Sequence, residues 1–112
     1  DAVFNVGRAC LFLGGLLGGR PDLLGVAMED RLHQPYRRAL FPWMDAVTTA
    51  ARSAGALGCV LSGAGPSLLA VVRDGGEEVS KAMETALRQA GIKGSARTLQ
   101  VDRTGAVWEP AR

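Results

Sequence analysis

The spacing of apolar residues predicts that the chain begins with a helix over residues 1–17. Asp1 is a suitable N-cap residue, and Gly18-Gly19 is a suitable stop. Apolar side chains cover nearly every face of this helix, whereas an ordinary surface helix has a single apolar stripe. We therefore expect it to be buried on most sides, either in the core of this chain or against another domain.

Two further helical patterns follow in the first half of the chain. One runs from Pro21 to about Leu32 and is broken by Pro35, because proline suits the first turn of a helix but not its interior. The other follows Pro42, with apolar residues at helical spacing until Gly55. The first half is therefore predicted to consist of packed helices.

The apolar pattern changes at residue 56. Residues 56–61 and 67–72 are short apolar runs on either side of a glycine-rich loop, and they indicate two antiparallel strands. An amphipathic helix is predicted over residues 77–90, with two further short strands over residues 96–101 and 106–109. The order strand–strand–helix–strand–strand, preceded by packed helices, predicts an α+β domain with an antiparallel sheet.

Composition excludes several classes of function. The 112 residues suffice for one domain with its own core, and 47% apolar residues with 21% charged residues argue against disorder. A net charge of +2 with scattered basic residues predicts no nucleic-acid partner. We expect Cys10 and Cys59 to be buried, reduced thiols. Because they are accompanied by a single histidine, no metal site is predicted.

The apolar run from Val3 to Leu17 predicts neither a membrane span nor a secretory signal. It is too short to cross a bilayer, and Asn5 and Arg8 interrupt it. It also has no basic leader and no small-residue cleavage site. The sequence therefore predicts a cytoplasmic protein without a membrane partner.

The first candidate for chemistry is the glycine loop, Ser62-Gly63-Ala64-Gly65-Pro66-Ser67. Because Gly63 and Gly65 carry no Cβ, backbone N–H groups in this loop can approach an anion closely. The spacing matches neither the dinucleotide fingerprint nor the Walker-type phosphate loop. A plain hairpin connection is the alternative interpretation.

The second candidate is Arg37, whose guanidinium can hold a carboxylate or phosphate through two parallel hydrogen bonds. A charged residue near a proline turn is, however, more often simply solvated. The single histidine, His33, would either interact with the C-terminal end of a helix or orient Arg37 from behind. The lack of an evident partner in the sequence favours the first role. No catalytic residue is predicted.

Three stretches of the chain resemble homoserine kinases, which belong to the superfamily of galactokinase and mevalonate kinase. They are residues 1–9 (DAVFNVGRA), 29–37 (EDRLHQPYR) and 58–67 (GCVLSGAGPS). The resemblance extends from Asp1 to about Val107. It implies the C-terminal domain of a two-domain kinase, with a ferredoxin-like sheet that is compatible with the predicted order of strands.

The resemblance also implies roles for the candidate residues. Residues 62–67 correspond to a glycine loop that faces the phosphate-binding loop of the N-terminal domain, and Arg37 matches an arginine that holds the substrate carboxylate. Asn5, Arg8 and His33 fit the family pattern without an implied substrate contact. The implied activity is transfer of the γ-phosphoryl group of ATP to the hydroxyl of L-homoserine, with Mg²⁺, in threonine biosynthesis.

The family's phosphate-binding loop is not found in this sequence, and the chain begins at Asp1, on a helix cap. We therefore expect a fragment that lacks the N-terminal kinase domain. The missing domain would bind ATP and Mg²⁺ for the most part, so residues 1–112 alone would fold but be inactive. Association into a homo-oligomer is left open.

Two alternatives remain at this point. A sister kinase for another small hydroxylated substrate would keep the glycine loop, but it would have no reason to keep residues 33–37. A free-standing ferredoxin-like module for ligand binding or regulation would explain the missing phosphate-binding loop without truncation. An in-frame Gly-Leu-Gly-Ser-Ser segment in the DNA upstream of codon 1 would settle the question.

Overall fold

The computed structural model describes residues 1–111, and its helices and strands confirm the predicted α+β class. Their order is helix α1 (Ala2–Leu17), a 3₁₀ turn (Pro21–Leu23), helices α2 (Leu24–Ala27), α3 (Gln34–Arg37) and α4 (Met44–Ser53), strands β1 (Gly58–Leu61) and β2 (Leu68–Val71), and helix α5 (Gly76–Gln89).

The core lies where α4 and α5 pack against each other and against the two strands. Val47 and Ala51, one turn apart on α4, are 1% and 0% exposed. Val79 and Met83 form the buried face of α5, as the amphipathic pattern of that helix predicts. Cys59 of β1 packs in the same core. The best-packed part of the molecule is therefore the scaffold that carries the glycine loop.

The strands β1 and β2 form the predicted antiparallel pair. Their register places Gly58 opposite Val71 and Leu61 opposite Leu68, so the glycine loop, residues 62–67, connects the two paired ends. Because α4 packs on both strands, the base of the loop is held by the core.

Helix α1 has two different faces. One face packs on the 3₁₀ turn and α2, where Gly15 is buried against Leu24. The opposite face is apolar and exposed, and it carries Val3, Val6, Leu13, Leu16 and Leu17. Helix α1 is therefore not buried on most sides by the core of this chain. The alternative, burial against another domain, stays a prediction. None of the helices in residues 1–111 has the length and apolarity needed to cross a membrane.

The helix predicted from Pro21 to Leu32 is much shorter than expected. It ends at Ala27, because the N–H of Glu29 bonds to Val26, the N–H of Arg31 bonds to the side chain of Asn5, and the N–H groups of residues 32–34 bond to the side chain of Asp30, instead of to carbonyls four residues back. Pro35 then lies in the first turn of the short helix α3, where no N–H is needed.

The strands predicted over residues 96–101 and 106–109 do not form in the described residues, and the sheet has two strands. A strand needs a neighbour for its N–H and C=O groups. Within residues 1–111, one hydrogen bond joins this segment to another element: the N–H of Ala96 donates to Glu84 at 2.8 Å. Leu99 and Trp108 are 76% and 84% exposed. Of the predicted strand–strand–helix–strand–strand order, the first three elements are observed.

Candidate functional site

The glycine loop is a tight turn with free donors at its tip. The N–H of Ser62 donates to the C=O of Ser67 at 2.8 Å, and the N–H of Gly65 donates to the C=O of Ser62 at 3.1 Å. The N–H groups of Gly63 and Ala64 have no acceptor within residues 1–111, and both residues are exposed. Adjacent free N–H groups at a turn suit an anionic oxygen.

Glycine is required at position 65 for two reasons. The φ of Gly65 is +82°, in the left-handed region that other residues rarely adopt. A Cβ there would also lie 2.6 Å from the ring of Phe41 and 2.9 Å from the side chain of Leu61. Gly63 has a φ of +56° but open space around it. The loop is therefore seated against Phe41 at one glycine and open at the other.

Arg37 lies directly against the glycine loop. Its Nη2 donates to the C=O of Ala64, 27 residues further along the chain, and its guanidinium lies 5.7 Å from the ring centre of Phe41. The Nε of Arg37 is buried and has no hydrogen-bond partner in the part of the chain that the structure describes. The two features singled out in the sequence thus meet in space.

The carboxylate of Asp30 organises the backbone that leads to Arg37. Its Oδ1 accepts from the N–H of Leu32 at 2.7 Å, and its Oδ2 accepts from the N–H of Gln34 at 2.6 Å. The N–H of His33 lies 3.2 and 3.1 Å from the two oxygens. Because the first N–H groups of a helix have no intrahelical partner, this carboxylate satisfies the start of α3.

Asn5 connects this carboxylate to α1. Its Nδ2 donates to Asp30 Oδ1 at 2.7 Å, and its Oδ1 accepts from the N–H of Arg31 at 3.0 Å. Burial by itself would raise the pKa of Asp30, but the hydrogen bonds from Asn5 and from three backbone N–H groups lower that pKa to about 2. Asp30 is therefore an ionised, fixed acceptor at neutral pH.

Gln34 joins the same segment to the base of the glycine loop. Its Oε1 accepts from the N–H of Leu61, the last residue of β1, at 3.0 Å. One turn later, Arg37 bonds to Ala64 inside the loop. Two hydrogen bonds therefore join helix α3 to the glycine loop: Gln34 bonds at the base of the loop, and Arg37 bonds at the tip of the loop.

A groove of about 360 Å³ opens between α1 and β1 beside these residues. Arg8 of α1 lines it, forms an ion pair with Glu29 at 2.9 Å and lies over the ring of Phe4 at 4.4 Å. The Nε of Arg8 is buried without a hydrogen-bond partner in residues 1–111. This volume accommodates a small polar molecule. The other polar residues of the lining are Asn5, Glu29, Asp30, His33 and Gln34.

The predicted site residues are not all brought together. His33 is exposed at the N-cap of α3 rather than at a helix C-terminus, and its side chain makes no hydrogen bond with any residue that the structure describes. Asp30 and Gln34 were not among the site residues predicted from the sequence. The signal that could have identified Asp30 is an aspartate, which can accept from backbone N–H groups a few residues further on, followed by Pro35, which suits the first turn of a helix.

The cysteines and acidic residues do not form a reactive or metal-binding cluster. Both cysteines are free, and Cys10 is exposed on α1, so the expected burial is wrong for Cys10 and confirmed for Cys59. Burial raises the pKa of the Cys59 thiol, which makes it less reactive. Within residues 1–111, no three His, Cys, Asp or Glu side chains are placed to hold a metal ion.

Comparison with known proteins shows where this architecture occurs. Residues 12–94 match a family model described as GHMP kinases C terminal. The chain is 50% identical to the homoserine kinase of Persephonella marina over 109 residues, which are 97% of this chain and 36% of that protein. It is 51% identical to the homoserine kinase of Trichormus variabilis over 107 residues, which are 95% of this chain and 35% of that protein.

A solved structure shares the fold. The crystal structure of homoserine kinase from Cytophaga hutchinsonii superimposes with a TM-score of 0.74 and 35% sequence identity, over 82% of this chain and 30% of that one. The chain thus spans about a third of the length of the relatives that it matches. Because the family model covers most of its residues, this chain belongs to the GHMP kinase C-terminal family.

Proposed function

We propose that this chain is the C-terminal domain of a cytoplasmic homoserine kinase, which transfers the γ-phosphoryl group of ATP to the hydroxyl of L-homoserine in threonine biosynthesis. One observation carries the proposal. Arg37 contacts the glycine loop, in a chain that is about 50% identical to homoserine kinases over almost its whole length.

The arrangement suits a substrate with a carboxylate at one end and a group to be phosphorylated nearby. In the proposal, Arg37 holds the carboxylate through its remaining guanidinium donors. The free N–H groups of Gly63 and Ala64 would face a phosphate oxygen. Phosphoryl transfer depends mainly on positioning and charge neutralisation, so the protein need not supply a nucleophile. We assign no catalytic base to this chain.

The groove beside α1 would hold the body of the amino acid. Its volume of about 360 Å³ is at the small end of ligand sites, as a substrate of this size requires. Arg37 is not among its lining residues, but His33 and Gln34 are, and Arg37 lies one helical turn beyond them. The substrate carboxylate would therefore lie at the end of the groove nearest the glycine loop.

ATP and Mg²⁺ are assigned mainly to the part of the longer kinases that this chain does not match. Within residues 1–111 no three His, Cys, Asp or Glu side chains are placed to hold a metal ion by themselves, and Mg²⁺ in such enzymes is held by one or two carboxylates together with the nucleotide phosphates, so we place it with ATP. The tip of the glycine loop presents two adjacent free N–H groups, those of Gly63 and Ala64, too few to cradle a triphosphate. This chain would hold homoserine and form one wall of the site, and alone it would be inactive.

A chimera tests the proposed activity. The segment of the Persephonella marina homoserine kinase that aligns with this chain over 109 residues is replaced by this chain. We expect ADP production that depends on L-homoserine. A folded chimera that ignores homoserine but phosphorylates another small hydroxylated compound would favour a sister kinase.

Substitutions of Arg37 in the same chimera test the carboxylate assignment. Arg37→Ala removes a charge-assisted contact worth roughly 1.5–3 kcal/mol, so the KM for homoserine should rise about ten- to a hundredfold. The KM for ATP should hardly change. Arg37→Lys keeps the charge but loses the planar fork, and it should also be impaired.

Arg38→Ala is the matched control for these substitutions. Arg38 is exposed and pairs with Asp45 at 3.5 Å, an interaction that contributes little at the surface, so its loss should be nearly neutral. The assignment would be wrong if Arg37→Ala raised both Michaelis constants equally, or if Arg38→Ala were the more damaging change.

A further inference from the structure

We propose that Asp30 is a positioning residue that fixes Gln34 and Arg37 against the glycine loop and so sets the position of this loop relative to α1. This positioning does not depend on the reaction, and its consequence for catalysis rests on the proposed function.

Asp30 receives hydrogen bonds from donors on two separate parts of the chain. The side chain of Asn5 reaches it from α1, and the backbone N–H groups of residues 32–34 reach it from the segment that begins α3. No Lys or Arg in residues 1–111 forms an ion pair with it. Its charge is thus stabilised by neutral donors aimed at it, which is the role of a fixed structural acceptor rather than half of a surface salt bridge.

The hydrogen bonds continue from Asp30 to the loop without interruption. The N–H of Gln34 is bound to Asp30 at 2.6 Å, and the side-chain Oε1 of the same residue accepts from the N–H of Leu61 at 3.0 Å. Arg37, in the same short helix, bonds to the C=O of Ala64. A four-residue helix has too few internal hydrogen bonds to hold its own position, so its orientation depends on these contacts at its ends.

The Leu61 amide offers a direct test of this connection. It is the donor to Gln34 Oε1, so its hydrogen exchange reports whether Gln34 is held in place. In the 112-residue chain, Asp30→Asn should accelerate exchange at Leu61 about tenfold, because one hydrogen bond of ordinary strength is loosened. Val79→Ala, in the core on α5, is the control for a general loss of stability: it should accelerate exchange at Ala51 of α4 but leave Leu61, which exchanges through local opening, nearly unchanged.

Two further variants make the experiment decisive. Asn5→Ala removes one of the donors to Asp30 and should accelerate Leu61 exchange in the same direction but less. Asp22→Asn also removes one carboxylate, but Asp22 lies in an exposed pair with Arg20 and should leave Leu61 unchanged. Unchanged exchange at Leu61 in Asp30→Asn, or an increase at Leu61 in Val79→Ala as large as that in Asp30→Asn, would overturn the proposal. If Asp30→Asn did not fold, unchanged Leu61 exchange in Asn5→Ala would overturn it.

Kinetics in the chimera separate this inference from the proposed function. There, Asp30→Asn should raise the KM for homoserine and lower kcat together, because both Arg37 and the loop are released. If Asp30→Asn accelerated Leu61 exchange in a chimera that had no homoserine kinase activity, the proposed function would be refuted and the positioning role would stand. An active chimera in which Asp30→Asn altered neither Leu61 exchange nor kcat would refute the positioning role alone.

Discussion

Asp30 is a partly buried carboxylate whose lowered pKa makes the stability of the folded chain depend on pH. Desolvation raises its pKa, but the hydrogen bonds from Asn5 and from the N–H groups of Gln34, Leu32 and His33 prevail, and the pKa falls from 3.8 to about 2. A carboxyl group whose pKa is lowered by folding stabilises the folded chain above its unfolded pKa. That contribution is lost as the pH falls through the folded pKa.

We therefore expect Asp30→Asn to lower the free energy of unfolding at neutral pH and to have little effect near pH 2. The difference between the two chains should shrink by on the order of 1–2 kcal/mol between about pH 4.5 and pH 2, after allowance for solvent screening. Urea unfolding at several pH values measures it. Asp22→Asn, in an exposed pair with Arg20, should show a smaller pH dependence, and a difference for Asp30→Asn that stayed constant with pH would contradict the expectation.

At the scale of elements, the sequence predicted best the helices and strands whose apolar pattern is completed by residues close in sequence. The apolar stripe of α5 and the two runs beside the glycine loop became the helix and the hairpin as expected. The helix predicted to reach Leu32 stops earlier, because the side chains of Asn5 and Asp30 accept from the N–H groups of residues 31 and 32, which the helix would have used. Residues 96–101 have the apolar residues of a strand, but strand formation also requires a neighbouring strand, which the pattern of one segment does not specify.

The glycine loop allows an element-scale prediction from two glycines with different surroundings. Gly65→Ala adds a Cβ that would lie 2.6 Å from Phe41, at a φ of +82°, whereas Gly63→Ala meets only the cost of a φ of +56°. We expect Gly63→Ala to destabilise the chain by about 1 kcal/mol. Gly65→Ala should cost roughly 1–3 kcal/mol more, because the loop must also move away from Phe41. Chemical denaturation measures both changes, and equal costs would show that the contact with Phe41 does not hold the loop.

At the scale of the whole molecule, the sequence identified the two ends of the candidate site but not the path between them. Arg37 and the glycine loop stood out because their residue types suit anions. Their contact across 27 residues, and the anchoring of Gln34 on Leu61, depend on how α3 is oriented in space. No periodicity in the sequence specifies this orientation, since it arises from hydrogen bonds between distant residues.

The exposed apolar face of α1 leads to a prediction about the whole molecule. Val3 and Leu17, at its two ends, are 86% and 81% exposed, and Val6 and Leu13 lie between them on the same side. A contiguous apolar surface of this kind favours association. We expect the 112-residue chain to self-associate or to bind a hydrophobic dye, as measured by sedimentation velocity and fluorescence. A chain that stayed monomeric and dye-silent at high concentration would contradict this.

A double substitution locates the effect on α1. Val6→Glu with Leu13→Lys leaves the net charge unchanged and breaks the apolar face, so it should reduce association without lowering the free energy of unfolding, because both side chains are already exposed. Leu99→Glu with Val101→Lys, at two positions outside the helix that are more exposed still, is the matched control and should leave association unchanged. If the control pair reduced association as much as the α1 pair, the association would not be specific to the apolar face of α1.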